Sequence, residues 1–210
     1  MRTLITLIST LALLGGCASG GSVSENQCIA SDWQTLGYRD GVAGYRSSRL
    51  LKHQDACVEH GIIPNRSNYI AGWEQGAREY CEPNNAFSLG ERGAGHNNIC
   101  QEDLRNGFLS AFKEGRSLYL ARKAVANLEN TIGHKEVRLE HIKVEVVASA
   151  TDQLNPVLTP AERIELLAYT NRLRDEQLGL QQALPELRRQ LGAKRAELDA
   201  LQRTLAGVIY

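Results

Sequence analysis

The chain of 210 residues has no net charge, because 24 basic residues balance 24 acidic ones. A protein that binds nucleic acid through a general excess of positive charge is therefore not expected. Aromatic residues are scarce, at 6% of the chain, and there is one methionine. Hydrophobic residues still make up 42%, so the composition predicts a folded chain rather than a disordered one.

Several motifs of catalysis and metal binding are also missing. The sequence contains no HExxH, no G-x-S-x-G and no phosphate-binding loop. Its five histidines include no HxxxH pair. We therefore expect no metal site, no cofactor and no enzymatic activity.

The first residues predict an export signal that ends in a lipid-attachment site. Arg2 precedes a short apolar run that cannot span a bilayer. The run leads into Leu14-Gly15-Gly16-Cys17, which is similar to the lipobox of bacterial lipoproteins. This resemblance implies that Cys17 is lipidated after residues 1–16 are removed, and the non-acidic Ala18 implies delivery to the outer membrane. A cleaved secretory signal with a chance cysteine is the alternative.

Lipidation of Cys17 leaves four cysteines, Cys28, Cys57, Cys81 and Cys100. An exported protein enters an oxidising compartment, where an even set of cysteines is expected to form disulfides. Of the three possible connectivities, Cys28–Cys57 with Cys81–Cys100 closes the shortest loops and is preferred. A four-cysteine zinc site is the alternative, although the sequence has no CxxC pair.

The composition divides the chain close to residue 115. Residues 17–115 contain 13 of the 19 glycines and both tryptophans, whereas residues 116–210 contain no cysteine. We predict a lipidated cysteine and flexible tether over 17–27, a cysteine-stapled domain over 28–119 and a helical hairpin over 120–210. The predicted fold class is all-α.

A short pattern recurs three times in the cysteine-containing half. A small residue, an aromatic residue, two polar residues and a glycine follow one another. The small positions are Gly37 and Gly41, Gly72 and Gly76, and Ala111 and Gly115. Since glycine inside a helix costs about 1 kcal/mol against alanine, we interpret these pairs as places where helices approach closely. A backbone-lined ligand groove is the alternative. A degenerate fourth copy spans Phe87–Gly93.

Two acids of this pattern, Asp40 and Glu114, are candidates for a catalytic pair, but the second copy has Gln75 at the same place. We interpret them as solvated or capping acids. The alternative is a ligand-binding or catalytic site for a cell-wall glycan or similar ligand. Its residues would be Trp33, Tyr38, Asp40, Trp73 and Glu114.

The block from Tyr69 to Cys81, followed by Phe87-x-x-Gly90-x-x-Gly93 and by Cys100, resembles the small YfiL-like envelope lipoproteins, a family of unknown function. Trp33-x-x-x-Gly37-Tyr38-x-Asp40-Gly41 fits the opening segment of that family. The resemblance covers about residues 28–119. It implies an envelope lipoprotein and the pairing of Cys81 with Cys100, but no activity.

The C-terminal half predicts two long helices, over about 108–150 and 160–206. Apolar residues recur in both at alternating spacings of three and four, the a/d pattern of a coiled coil. An antiparallel hairpin with a turn at about 151–159 would bury both seams. Pro185 keeps this phase and is interpreted as a kink in a continuous helix.

Three interpretations of the hairpin stay open: a stable hairpin alone, a rod that presents its Leu154–Leu158 tip to a partner, or outer faces that self-associate. The basic run Arg188–Arg195 is interpreted as a solvated face, with anionic lipid as the alternative contact. We therefore expect a non-enzymatic, periplasm-facing outer-membrane lipoprotein that acts as an interaction or scaffold module. Its expected partners are the membrane, through the lipid, and an envelope protein or a second copy, but not nucleic acid.

Overall fold

The computed structural model describes residues 24–29 and 32–207, so the predicted lipidation site Cys17 lies outside the described residues. These residues form seven helices and no strand, which confirms the all-α prediction. The helices are α1 (Glu25–Ile29), α2 (Trp33–Val42), α3 (Arg49–Val58), α4 (Arg66–Tyr80), α5 (Pro83–Glu91), α6 (Glu102–Asp152) and α7 (Pro160–Ala206).

The chain divides into two compact units between Gly76 and Ala77. The predicted boundary at residues 119–120 does not separate them. Residues on both sides of 119–120 belong to the second unit, which contains the second disulfide and the hairpin. The change in amino-acid composition near residue 115 therefore does not mark the end of a packed unit.

The first unit is a small core closed by a disulfide. Asp32 caps α2 by accepting hydrogen bonds from the backbone nitrogens at 34 and 35, which explains why the helix begins at Trp33. Cys28 of α1 and Cys57 of α3 form the predicted disulfide. Both sulfurs pack in a core with Trp33, Leu50 and Tyr69.

In the first unit, α2 and α4 approach so closely that their backbones meet at glycines. A Cβ on Gly37 would lie 2.9 Å from the backbone nitrogen of Trp73 and closer still to the carbonyl oxygen of Tyr69. A Cβ on Gly72 would meet the carbonyl of Gln34 in the same way. Each carbonyl belongs to the residue three positions before the partner glycine. The contact is therefore reciprocal, and only glycine fits on either side.

The second unit contains the same contact between α5 and α6. A Cβ on Gly90 would lie 2.6 Å from the backbone nitrogen of Arg116 and closer still to the carbonyl oxygen of Phe112. A Cβ on Gly115 would meet the carbonyl of Phe87. Again each carbonyl lies three residues before the partner glycine. The third copy of the sequence pattern thus pairs with the degenerate fourth copy.

The positions of the cysteines show that these two helix pairs are repeats of one design. In each, the first cysteine lies nine residues before one contact glycine, and the second cysteine lies fifteen residues before the other. The sets are Cys28, Gly37, Cys57 and Gly72 in the first repeat, and Cys81, Gly90, Cys100 and Gly115 in the second. The cysteines of each set form a disulfide, in agreement with the preferred connectivity.

The remaining small positions of the sequence pattern are also enclosed. Gly41 is buried on α2 and Ala111 is fully buried on α6. A Cβ on Gly76 would lie 2.8 Å from the backbone nitrogen of Val42. Backbone atoms therefore fill the space beside the contact glycines. This arrangement favours the interpretation as close helix contacts over a ligand groove.

Beyond the second repeat, α6 and α7 form an antiparallel hairpin joined by residues 153–159. Three ion pairs between the helices establish the antiparallel direction, because the residue numbers rise along α6 while those of their partners fall along α7. With the α6 residue first, the pairs are Glu129–Arg195, Glu136–Arg188 and Arg138–Glu176. Ile142 and Leu173 are among the buried residues of the seam. The helix α7 is continuous through Pro185.

Candidate functional site

Two features of the described residues are candidates for function, and the first is a buried polar cluster in the first unit. Asp40 is 6% exposed, so the expectation that it is solvated is wrong. Its carboxylate accepts hydrogen bonds from the Tyr69 hydroxyl and the His53 Nε2, each at 2.7 Å. The Nε of Arg49 lies 3.2 Å from the other carboxylate oxygen. We call Asp40, Arg49, His53 and Tyr69 the Asp40 cluster.

The Asp40 cluster joins three helices. Asp40 lies on α2, Arg49 and His53 lie on α3, and Tyr69 lies on α4. Because an ionised carboxylate can only accept, Nε2 of His53 carries the hydrogen in this bond. Burial, together with the bond to Asp40, raises the pKa of Tyr69 above its ordinary value, so the hydroxyl stays a donor at neutral pH.

The second repeat shows that the Asp40 cluster is not required to close a stapled helix pair. When the two repeats are aligned on their contact glycines, Gly93 takes the place of Asp40 and Phe112 takes the place of Tyr69. The interval between the first contact glycine and the second cysteine is also ten residues shorter, so α3 has no counterpart. The cluster is therefore an addition that holds α3 in the first unit.

The burial of the cluster argues against an open catalytic or glycan-binding site there. Tyr69 is 0% exposed and His53 is 2% exposed. Trp33 packs in the same core, and the indole nitrogen of half-buried Trp73 donates to the carbonyl of Tyr45 at 2.7 Å. A sugar ring cannot stack on aromatic faces that already pack inside the unit.

Two of the residues proposed for the glycan site, Tyr38 and Glu114, are only half-buried. Tyr38 is half-buried on α2, one residue beyond the contact glycine Gly37. Glu114 is half-buried on α6, in the second unit rather than with Asp40 in the first. The five residues are therefore divided between the two units.

The second candidate is the end of the hairpin, which we define as residues 144–172 and call the hairpin tip. Large apolar side chains are exposed there: Val144, Val147, Leu154, Val157, Ile164, Leu167 and Tyr169. The two in the loop are the most open, with Leu154 at 80% and Val157 at 85% exposure. Exposed apolar side chains at the end of a hairpin are available for contact with another molecule.

The loop of the hairpin tip is held in shape by its own polar groups. Thr159 and Glu162 form a capping box, in which the Glu162 carboxylate accepts from the Thr159 backbone at 2.8 Å. These capping bonds hold the pKa of Glu162 below its ordinary value. The guanidinium of Arg163 donates to the carbonyl oxygens of Gln153 and Asn155. The apolar side chains of the loop are thus displayed on an ordered backbone.

A groove of about 520 Å³ lies at the hairpin tip. Leu158 and Leu166 contribute apolar walls, and Asp152 and Glu165 contribute carboxylates. Tyr169 lies at the same groove and donates through its hydroxyl to Glu145 at 3.0 Å. Arg172 also lines the groove, with its guanidinium 5.9 Å from the centroid of the Tyr169 ring. The groove therefore combines apolar surface with three carboxylates and one guanidinium.

The basic run of α7 has a different character. Its basic side chains each have an acidic partner, and the pairs are Arg188–Glu136, Arg189–Glu186, Lys194–Glu197 and Arg195–Glu129. Cations that are already neutralised attract anionic lipid weakly. The pairs favour the interpretation of this run as a solvated face.

Within the described ranges, no three His, Cys, Asp or Glu side chains are arranged to hold a metal ion. None of the helices in the described part of the chain is both long and apolar enough to cross a membrane.

The described residues define an all-α protein with a duplicated, disulfide-stapled helix pair and a long hairpin. Residues 32–117 match the model of a family described as a protein of unknown function, DUF2799. The match begins at the cap of α2 and ends within α6, so it covers the contact glycines of both repeats and stops before the hairpin seam. No curated protein and no solved structure matches the chain.

The sequence contained two signals that sequence analysis missed. The equal cysteine-to-glycine intervals of nine and fifteen residues reveal the duplication without a structure. Asp40 also lies three residues after Gly37 and seven after Trp33, on the face of α2 that is buried. An acid at such a position predicts a buried polar partner, which the helical spacing could have indicated.

Proposed function

We propose that this chain is a lipid-anchored protein of the bacterial outer membrane that acts in the periplasm as a non-enzymatic interaction or scaffold module. The lipobox-like sequence ending at Cys17 supports the anchor. The two disulfides support an oxidising compartment. The proposal extends to membership of the YfiL-like envelope lipoproteins, on the glycine, aromatic and cysteine positions quoted above.

The hairpin tip carries the functional part of this proposal. Leu154 and Val157 present their side chains to solvent from an ordered loop. Complete burial of such a side chain is worth about 1.5–3 kcal/mol, so two of them supply a useful share of a binding energy. The tip therefore favours capture of a partner over a purely structural hairpin.

Site-specific crosslinking in the intact lipoprotein tests the role of the tip. A photo-crosslinking amino acid replaces Val157 in the tip and, as the matched control, Val137, which is exposed on the hairpin outside the tip. We expect a discrete adduct from position 157 that is absent from position 137 and is weakened by Leu154→Ser. Equal adducts at both positions, or none at 157, would contradict the proposal. An adduct of twice the chain mass would identify self-association as the interaction.

The anchor is tested separately by Cys17→Ser. The substitution should prevent lipidation and cleavage by the lipoprotein route, which is measured by metabolic labelling with a fatty acid and by membrane fractionation. Unchanged labelling, or normal cleavage with full membrane retention, would refute the anchor.

A further inference from the structure

We propose that the hairpin tip binds a basic amphipathic helix of a partner protein; this inference rests on the proposed role of the tip as an interaction surface and specifies the chemistry of its partner. The groove already described supplies apolar walls and carboxylates side by side. A helix with an apolar stripe flanked by lysine or arginine matches both features at once.

The acids that line the groove outnumber its arginine, Arg172, whose guanidinium lies over the Tyr169 ring. No ion pair joins Asp152 or Glu165 to a basic side chain of the described residues, in contrast to the paired acids Glu129 and Glu136 of the hairpin. Arg163, the nearest basic residue in sequence to Glu165, is occupied by the loop carbonyls. Negative charge at the tip is therefore left for a partner to neutralise.

The charge of the tip also selects against other occupants. The carboxylates of Asp152, Glu162 and Glu165 outnumber the one guanidinium of the groove and repel a phosphate-rich glycolipid or an anionic membrane surface. Addition of an extended peptide to a sheet is not available, because the described residues provide no strand edge. A helix that docks through its side chains requires neither an edge nor an anion site, and the groove itself supplies apolar contacts through Leu158 and Leu166.

A peptide-binding measurement tests the chemistry directly. The probe is an 18-residue leucine–lysine peptide with a helical apolar stripe, labelled with fluorescein, and its control is the leucine–glutamate peptide with the same stripe. The receptor is residues 17–210 with Cys17→Ser, exported behind an ordinary cleavable secretory signal, so that no lipid or detergent competes for the peptide. We expect saturable binding of the lysine peptide that weakens as salt is raised, and none of the glutamate peptide.

Charge variants locate the binding site. Asp152→Asn with Glu165→Gln should weaken binding of the lysine peptide about tenfold and flatten its salt dependence. The matched control is Asp55→Asn with Asp175→Asn, which removes the same charge from two exposed positions outside the tip. Leu154→Ser with Val157→Ser should weaken binding as well, whereas Val137→Ser should not.

Three results would overturn the inference. They are equal weakening by the matched control, equal binding of the glutamate peptide, and no binding of the lysine peptide. These failures differ from failure of the proposed function: a partner crosslinked at position 157 without peptide binding would keep the interaction surface and reject its basic-helix chemistry. Loss of both results would reject both proposals.

Discussion

Replacement of Gly37 by alanine tests the close contact between α2 and α4. The new Cβ would lie 2.9 Å from the backbone nitrogen of Trp73 and closer still to the carbonyl oxygen of Tyr69. Both atoms belong to the backbone of a helix, so neither can rotate away as the end of a flexible side chain could. The two helices must therefore separate, by roughly 1 Å, to reach ordinary contact.

The cost follows from the side chains that this contact brings together. Trp33, Leu50 and Tyr69 are buried in the core between these helices and α3, and burial of each contributes about 1.5–3 kcal/mol. A gap of up to 1 Å removes about a quarter to a half of such contacts. We expect a loss of about 3 kcal/mol, offset by about 1 kcal/mol from the better helix propensity of alanine. The net destabilisation is about 2 kcal/mol.

Tryptophan fluorescence during urea unfolding isolates this effect. Both tryptophans of the chain, Trp33 and Trp73, lie in the first unit, so their signal reports that unit alone. With a denaturant slope of about 1 kcal/mol per molar urea for a unit of this size, the midpoint should fall by about 2 M.

The matched control is Gly192→Ala in α7, where a Cβ would meet nothing within 4 Å. It should leave the tryptophan transition unchanged and stabilise the hairpin by up to about 1 kcal/mol, as measured by far-ultraviolet circular dichroism. If Gly37→Ala moves the midpoint by less than about 0.3 M, the helices do not touch through their backbones and the reasoning fails.

Three further predictions follow from other parts of the chain. Tyr69→Phe should lower the stability of the first unit by about 1.5–3 kcal/mol in the same assay, because Asp40 loses a donor; no change would mean the bond is not formed. Pro185→Ala should stabilise the hairpin by up to about 3 kcal/mol and so raise its thermal midpoint, and a lower midpoint would show that α7 needs its proline. The cap made by Glu162, whose pKa is lowered, is complete above the ordinary value of 4.5 and is lost as pH falls through the lowered value. The protection factors of the Thr159 and Glu162 amides, which are corrected for the intrinsic pH dependence of exchange, should fall there, whereas in Glu162→Gln they should not change with pH.

The hairpin was predictable because the apolar residues that stabilise it recur at a regular spacing along the sequence. Apolar residues at the a/d spacing, such as Ile142, Leu173 and Leu180, are buried where the pattern places them. Thr159 and Pro160 mark the start of α7 through a local capping pattern that needs no tertiary information. The disulfide pairing was equally accessible, since each cysteine pairs with its neighbour in sequence.

The boundary of the units and the state of Asp40 were not predicted, because both depend on contacts between distant residues. Residue 120 marks a change in composition, but the tertiary contacts that group the second unit extend across it. In the local pattern Asp40 is equivalent to Gln75 and Glu114, and neither of these is buried. Its partners His53 and Tyr69 are 13 and 29 residues away, beyond the reach of a repeat comparison.

The two repeats solve the same packing problem with different chemistry, and the comparison indicates what the Asp40 cluster contributes. The second repeat fills its interior with rings, including Tyr80 stacked on Phe108 at 5.5 Å. The first repeat instead removes a carboxylate from water, which costs several kcal/mol unless every lone pair finds a donor. Since the second repeat avoids that cost and still closes, closure alone does not explain the cluster. What the first repeat gains is a directional attachment of α3, through Arg49 and His53, that a purely apolar core would specify less well.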